Sequence, residues 1–287
     1  MRTRPTAWWL AQLRRRRSRM VYEKLDLSTP LTFATVEQHS AAVAFFNAAF
    51  RAEESGLRQA HELSDTVAQR DPELAECLRL YGDEEGWHRQ LLTEFLGWLG
   101  GNVKPMGRTT RTFYGLYARA KRMESIVLVN LMFETIGSTT YRLALRGATH
   151  PVVRQMLTIL TRDESFHVPL NVHFLRAALA FAPSVSKHRL RALHNATFVA
   201  LLASTIPSRR RAEPFDRIPR GVLAKAYATE LARLFLEQDD LGLSPSPLFL
   251  RMFGLDREDL LRRGPSAVSV EAAERSAERA DVVVDAY

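Results

Sequence analysis

Two stretches of this chain repeat a spacing of carboxylates and histidine: Glu84-Glu85-Gly86-Trp87-His88 and Asp163-Glu164-Ser165-Phe166-His167. Residues three apart on a helix share a face, so Glu85 with His88, and Glu164 with His167, each present an oxygen and an imidazole nitrogen side by side. Those are donor types that divalent transition metals accept. Composition alone supplies about 0.6 such tetrapeptides in a chain of this make-up, so the motif carries weight only with partners elsewhere. A di-metal carboxylate site in a four-helix bundle takes one Glu from each of two helices and a Glu-x-x-His from each of the other two.

Helical periodicity supplies the elements. Apolar residues at spacings of three and four predict helices over about 35–67, 72–99, 122–147 and 151–181. Asp71-Pro72 reads as an N-cap followed by proline at the first helical position, and Gly100-Gly101 reads as a stop. The third helix has one central acidic candidate, Glu134, beside Leu131, Gly137 and Ser138. The first has Glu53 and Glu54. Glu53 shares its face with Phe46, Phe50 and Leu57, whereas Glu54 lies over Asn47 and towards His61, so Glu53 is the predicted ligand. Gly56 follows Glu53 by three, as Gly137 follows Glu134.

Depth provides an independent check. Residues at one height in an antiparallel hairpin are equidistant from its turn. Glu53 and Glu85 are centred on position 69, and Glu134 and Glu164 on position 149, each at a predicted turn. All four carboxylates then lie ~22–24 Å from their loops at ~1.5 Å per residue. Glu53, Glu85, His88, Glu134, Glu164 and His167 are therefore the predicted metal set. Buried carboxylates are costly unless paired or metal-bound.

The remaining chain is organised around that bundle. The expected plan is a basic N-terminal extension over 1–30, the bundle over 31–182, accessory helices over 183–262 and a tail over 263–287. Pro169 falls inside the fourth helix, where a kink or bulge beside His167 is expected. Residues 100–120 read as a long connection with a helical turn near Tyr114, and Ser208 to Pro219 as a basic loop. The formal charge of +8 comes almost wholly from residues 1–24, where eight basic residues face only Glu23. Trp8, Trp9, Leu10 and Leu13 form the apolar side of that segment. Read functionally, it would touch an anionic membrane or an acidic protein; read plainly, it is a solvated tail with a few residues pinned to the body. No nucleic-acid-binding pattern accompanies it. A single cysteine, Cys77, rules out an intrachain disulfide framework, and no apolar run is long enough for a bilayer, so a cytoplasmic location is expected.

In ligand order, Glu, Glu-x-x-His, Glu, Glu-x-x-His, residues 36–181 resemble the ferritin-like di-iron carboxylate superfamily. The fold expected is all-α: a ferritin-like four-helix bundle with additional C-terminal helices. Glu84 and Asp163, the acidic residues preceding each motif, resemble those that orient the histidine of the opposite motif in soluble methane monooxygenase and acyl-carrier-protein desaturases. Ser138 matches a hydroxyl position linked to proton handling in monooxygenase-like members. The resemblance implies two iron ions, with manganese as the alternative metal.

It further implies an oxygen-activating enzyme, a di-iron monooxygenase-type oxidoreductase. Its substrate would be a small organic or carrier-bound molecule that is hydroxylated, N-oxygenated or desaturated, with Glu85 and Glu164, or Glu53 and Glu134, bridging the irons. Electrons would come from a ferredoxin or flavoprotein reductase, docked by the basic tail or by Arg209 to Arg211, and a homodimer is compatible. The alternative is a ferroxidase or metal-handling protein without an organic substrate. Phe46, Phe50, Phe133 and Phe166 predict an apolar cavity, which favours the oxygenase. Leu92 stands where radical-generating ribonucleotide reductase subunits carry tyrosine, and Leu160 where arylamine N-oxygenases carry an extra histidine; His173 could replace the latter only if Pro169 rotates the turn. Absence of cysteine pairs argues against a rubredoxin-type centre and so against a rubrerythrin-like peroxidase.

Overall fold

Local signals set most helix ends. The computed structural model describes residues 4–107, 111, 115, 120–180, 184–262, 273–276 and 278, less the side chains of 184–186 and 204–210. Helix α3 (Val36–Val67) starts at Thr35, whose hydroxyl accepts from the Gln38 amide while the Gln38 side chain reaches back to the Ala34 amide. Helix α4 (Pro72–Trp98) starts at Asp71, which caps the Leu74 amide, with Pro72 at the first helical position. It ends at Gly100, whose φ of 74° lets the Gly101 and Gly100 amides bond Leu96 and Gly97 carbonyls. A Cβ at Gly101 would fall 2.7 Å from Val43, so this stop also packs closely on α3.

The next pair is α5 (Met123–Gly147) and α6 (Pro151–Ala180). The helical assignment of α6 runs through Pro169 without a break. Each pair forms a hairpin, and α3 meets α5 while α4 meets α6, which closes a four-helix bundle. Two apolar clusters fill it, one around Phe46, Leu92, Phe95 and Met156, the other around Tyr81, Leu131, Phe166 and Phe174. Every regular element among the described residues is helical.

Two further helices, α7 (Ser184–Asp216) and α8 (Arg220–Glu237), lie against α5, with α7 also on α3. The basic loop expected from Ser208 to Pro219 is instead mostly helix. Phe215, near the end of α7, packs on Phe45 and Phe46, and Ala212 is half-buried on the same cluster, so tertiary burial carries the helix past the arginine run. Short helices α9 (Pro247–Met252) and α10 (Arg257–Arg262) follow a 3-10 turn at Asp239–Leu241. The turn expected near Tyr114 and the side chains of Arg209 and Arg210 lie outside the described residues.

The N-terminal segment departs furthest from a solvated tail. Helices α1 (Thr6–Arg17) and α2 (Arg19–Tyr22) bury Trp9, Leu10 and Leu13, and α1 packs on α4. Each such side chain contributes about 1.5–3 kcal/mol when fully buried. The apolar side of this segment is spent on the protein's own core. Among the described residues, no helix is long and apolar enough to cross a membrane.

Candidate metal centre

Six side chains from the four bundle helices meet at one level of the core: Glu53 from α3, Glu85 and His88 from α4, Glu134 from α5, Glu164 and His167 from α6. All are buried, the two histidines completely. Their donor atoms converge in overlapping trios within 4.8 Å: Glu85, His88 and His167; Glu53, His88 and Glu164; Glu134, Glu164 and His167. Glu54, by contrast, turns outward to Arg51 and Arg89, because a one-residue step rotates the side chain off the core face.

The histidines are held from behind. His88 Nε2 donates to Asp163 Oδ2 at 2.8 Å, and His167 Nε2 donates to Glu84 Oε2 at 3.1 Å, so each imidazole is oriented by the acidic residue of the opposite motif. With Nε2 carrying the proton, Nδ1 faces the cluster: that of His88 lies 3.2 Å from Glu53 Oε2, and that of His167 lies 3.0 Å from Glu85 Oε1 and 3.6 Å from Glu164 Oε2. His167 Nδ1, Glu85 Oε1 and Glu164 Oε2 make no hydrogen bond among the described residues. Three buried donor atoms left unpaired at one point are what a cation would satisfy.

Electrostatics agree. Burial first, then the charges of Glu53 and Glu134, push the Glu85 carboxyl well above its ordinary range. Glu164 is raised likewise, by burial and then by Glu134, Glu53 and Glu85. Burial also lowers the His167 imidazole to about 3, which keeps it neutral. Burial lowers the His88 imidazole, but Asp163 and Glu53 outweigh it and raise the group, so it would lose a proton on ligation. Four crowded carboxylates with two ligating imidazoles fit two divalent cations, since +4 would balance −4. Gly56 makes the fit: a Cβ there would lie 3.1 Å from Glu85 Oε2.

Some neighbours escaped the sequence. Tyr81 donates to Glu134 Oε1 at 2.7 Å and accepts from Asn130 Nδ2 at 2.8 Å, and the Tyr141 hydroxyl lies 3.4 Å from Glu53 Oε1. Tyr81 precedes Glu85 by four, so helical spacing places it on the same face, though its partner belongs to another hairpin. More unexpected are Arg16 and Arg19, both buried from the N-terminal helices. Arg16 donates to Glu84 at 2.8 Å and to Asp163 at 3.1 Å; Arg19 donates to Asp163 at 2.5 Å and pairs with Glu84. Arg162 adds a bond to Asp163 at 2.8 Å. Burial raises the Asp163 carboxyl, but the charges of Arg162 and Arg19 and the His88 hydrogen bond outweigh it and hold the group well below its ordinary range.

A cavity of about 20 Å³ touches Glu53, Glu85, Glu134 and Glu164 and is lined also by Ser55, Phe133 and Gly137. Ser138 is buried but does not line it. Of the four phenylalanines expected around an apolar cavity, only Phe133 does; Phe46 and Phe50 sit in the core, and Phe166 packs on Trp9. His173 bonds Thr6 Oγ1 at 3.1 Å, so it is engaged by α1 rather than standing in for the missing histidine at Leu160.

Fold and site together define a ferritin-like protein with a buried carboxylate and histidine centre suited to two metal ions. Residues 44–170 are similar to the family model described as Rubrerythrin, a family that binds two irons. No curated protein and no solved structure gives a significant match to the chain. The match corrects the argument against rubrerythrins from missing cysteine pairs. The bundle is recognisable without a rubredoxin centre, because its ligands are carboxylates and histidines. It also gives no support to the oxygen-activating branch or to a monooxygenase activity.

Proposed function

We propose that the domain is a di-iron redox centre acting on peroxide or dioxygen, a peroxidase or ferroxidase rather than an organic oxygenase. The observation that carries this is the size of the cavity at the carboxylates. About 20 Å³ accommodates one or two water-sized molecules, the size class of dioxygen and hydrogen peroxide. The rubrerythrin match points the same way.

In this reading Glu53, Glu85, His88, Glu134, Glu164 and His167 bind the metals. When bound, a ferrous pair supplies two electrons, which with two protons convert hydrogen peroxide to two waters. Glu84 and Asp163 fix the imidazole tautomers, so that each Nδ1 lone pair points inward. Tyr81 holds one proton against Glu134 Oε1 and thereby selects which oxygen of that carboxylate is free to bind. Apolar packing around the site keeps bulk water from the reacting atoms. Cys77 is buried and is the chain's only cysteine, so re-reduction requires a separate electron donor.

The test is to load the protein anaerobically with ferrous iron and add hydrogen peroxide or dioxygen. Two irons per chain, oxidised by one equivalent of peroxide without any added organic compound, is the expected result. Fewer than about one tightly bound metal per chain would remove the proposal.

A further inference from the structure

We propose that Arg16 and Arg19 are positioning residues for the metal centre, acting through Glu84 and Asp163 on the orientation of His167 and His88. This rests on the di-metal reading above but concerns a segment outside the matched residues 44–170.

The first support is connectivity. Glu84 belongs to one hairpin and Asp163 to the other. Arg16 Nη2 reaches both, at 2.8 Å to Glu84 Oε1 and 3.1 Å to Asp163 Oδ1, so one guanidinium ties the two hairpins together at the level of the histidines. Arg16 Nε adds a bond of 3.2 Å to Glu84 Oε2, the same oxygen that accepts from His167 Nε2. Arg19 Nη1 takes Asp163 Oδ1, whereas Oδ2 accepts from His88 Nε2 and from Arg162 Nη2. At Asp163 the oxygen that Arg16 and Arg19 take is thus the other from the one His88 meets, and at Glu84 Arg16 grips both oxygens and fixes the carboxylate plane that His167 meets.

The second support is rigidity. The Arg16 guanidinium lies 4.2 Å from the centre of the Phe166 ring, and that of Arg19 lies 4.8 Å from the Trp87 ring. Phe166 and Trp87 immediately precede His167 and His88. Each cation is therefore stacked on the residue adjoining a histidine while it bonds the acceptor of a histidine. A planar fork does both at once, and an ammonium group cannot.

The third support is charge. Arg16, Arg19 and Arg162 face Glu84, Asp163 and the half-buried Glu23 in a set of three cations and three anions. Burial of Trp9, Leu10 and Leu13 fixes α1, and Ser276 Oγ lies 3.4 Å from Arg16 Nη1 on the far side. Neutralising Glu84 and Asp163 would need only nearby positive charge. The stacking and the two-oxygen grip on Glu84 go beyond that need.

Full-length Arg16→Lys and Arg19→Lys would be compared with wild type and with Arg14→Ala, which removes the α1 contact to Glu76 without touching either carboxylate. Iron affinity and the ligand-field spectrum of the ferrous protein are read, with helical content as the control for folding. A folded lysine variant is expected to lose about tenfold in iron affinity and to show a shifted spectrum, while Arg14→Ala shows neither. A folded lysine variant with wild-type affinity and spectrum would overturn the proposal. Two variants are made so that loss of folding in one leaves the other to decide. Failure of wild type to bind two irons would count against the di-metal reading instead, and is seen before any variant is compared.

Discussion

The carboxylate of Asp163 accepts from His88 Nε2 at 2.8 Å, although the two residues lie 75 positions apart on different hairpins. Asp163 is the acidic residue before one motif and His88 the histidine of the other. The exchange is reciprocated by Glu84 and His167, so neither hairpin can position its own imidazole.

Removing one arm of this exchange should weaken both metal binding and the fold. Asp163→Asn keeps an acceptor for His88 but takes the anion from among Arg16, Arg19 and Arg162. Uncompensated buried charge costs about 3–5 kcal/mol, and loss of such a partner costs about 10–100-fold in metal affinity. Chemical unfolding and iron titration of the variant check both numbers.

Gly56→Ala should separate stability from binding. Alanine favours a helix interior over glycine by about 1 kcal/mol, but its Cβ would sit 3.1 Å from Glu85 Oε2 and 3.3 Å from Cγ, forcing the carboxylate aside. The expected outcome is a metal-free protein within about 1 kcal/mol of wild type and a several-fold loss of iron affinity, read by calorimetry.

Metal loading should release protons. Glu85 and Glu164 are raised well above the ordinary carboxylate range by burial and by their acidic neighbours, so the metal-free protein holds protons there that bound cations displace. Affinity should therefore rise as pH is raised and fall on acidification. Titration calorimetry in two buffers of different ionisation enthalpy measures the number released, and zero would contradict the assignment of these two residues.

His194 should contribute a separate acid sensitivity. Burial lowers its imidazole to about 4 from an ordinary value of 6.5, its ring packs 4.3 Å from Phe235, and its Nε2 makes no hydrogen bond among the described residues. Between those values the unfolded chain binds the extra proton. The stability present above pH 6.5 is therefore lost as pH falls towards 4, by up to about 3 kcal/mol. His194→Leu should flatten that part of the stability profile, measured by urea unfolding at pH 7 and pH 4.5.

Much of this centre is legible in one dimension because helices are periodic. Spacing three places Glu85 with His88 and Glu164 with His167, and equal distance from two turns brings Glu53 and Glu134 to the same height. Both are properties of the rise and turn of a helix, and they hold before any packing is known. Capping explains Thr35, Asp71 and Gly100 in the same local way. The choice of Glu53 over Glu54 follows from one step of rotation.

Tertiary structure alone decided what surrounds that set. Nothing in the spacing of Arg16 and Arg19 links them to Glu84, 68 and 65 residues onward; burial of Trp9, Leu10 and Leu13 on the bundle does. A run of arginines is ordinarily solvated, and only paired carboxylates in the core make two of these worth burying. Tyr81 meets Glu134 across hairpins, α7 continues through basic residues because Phe215 finds Phe45 and Phe46, and of the expected phenylalanines only Phe133 lines the cavity of about 20 Å³. Periodicity along one chain determines which residues share a face. Which faces meet, and how much room is left between them, depends on side chains distant in sequence filling the same volume.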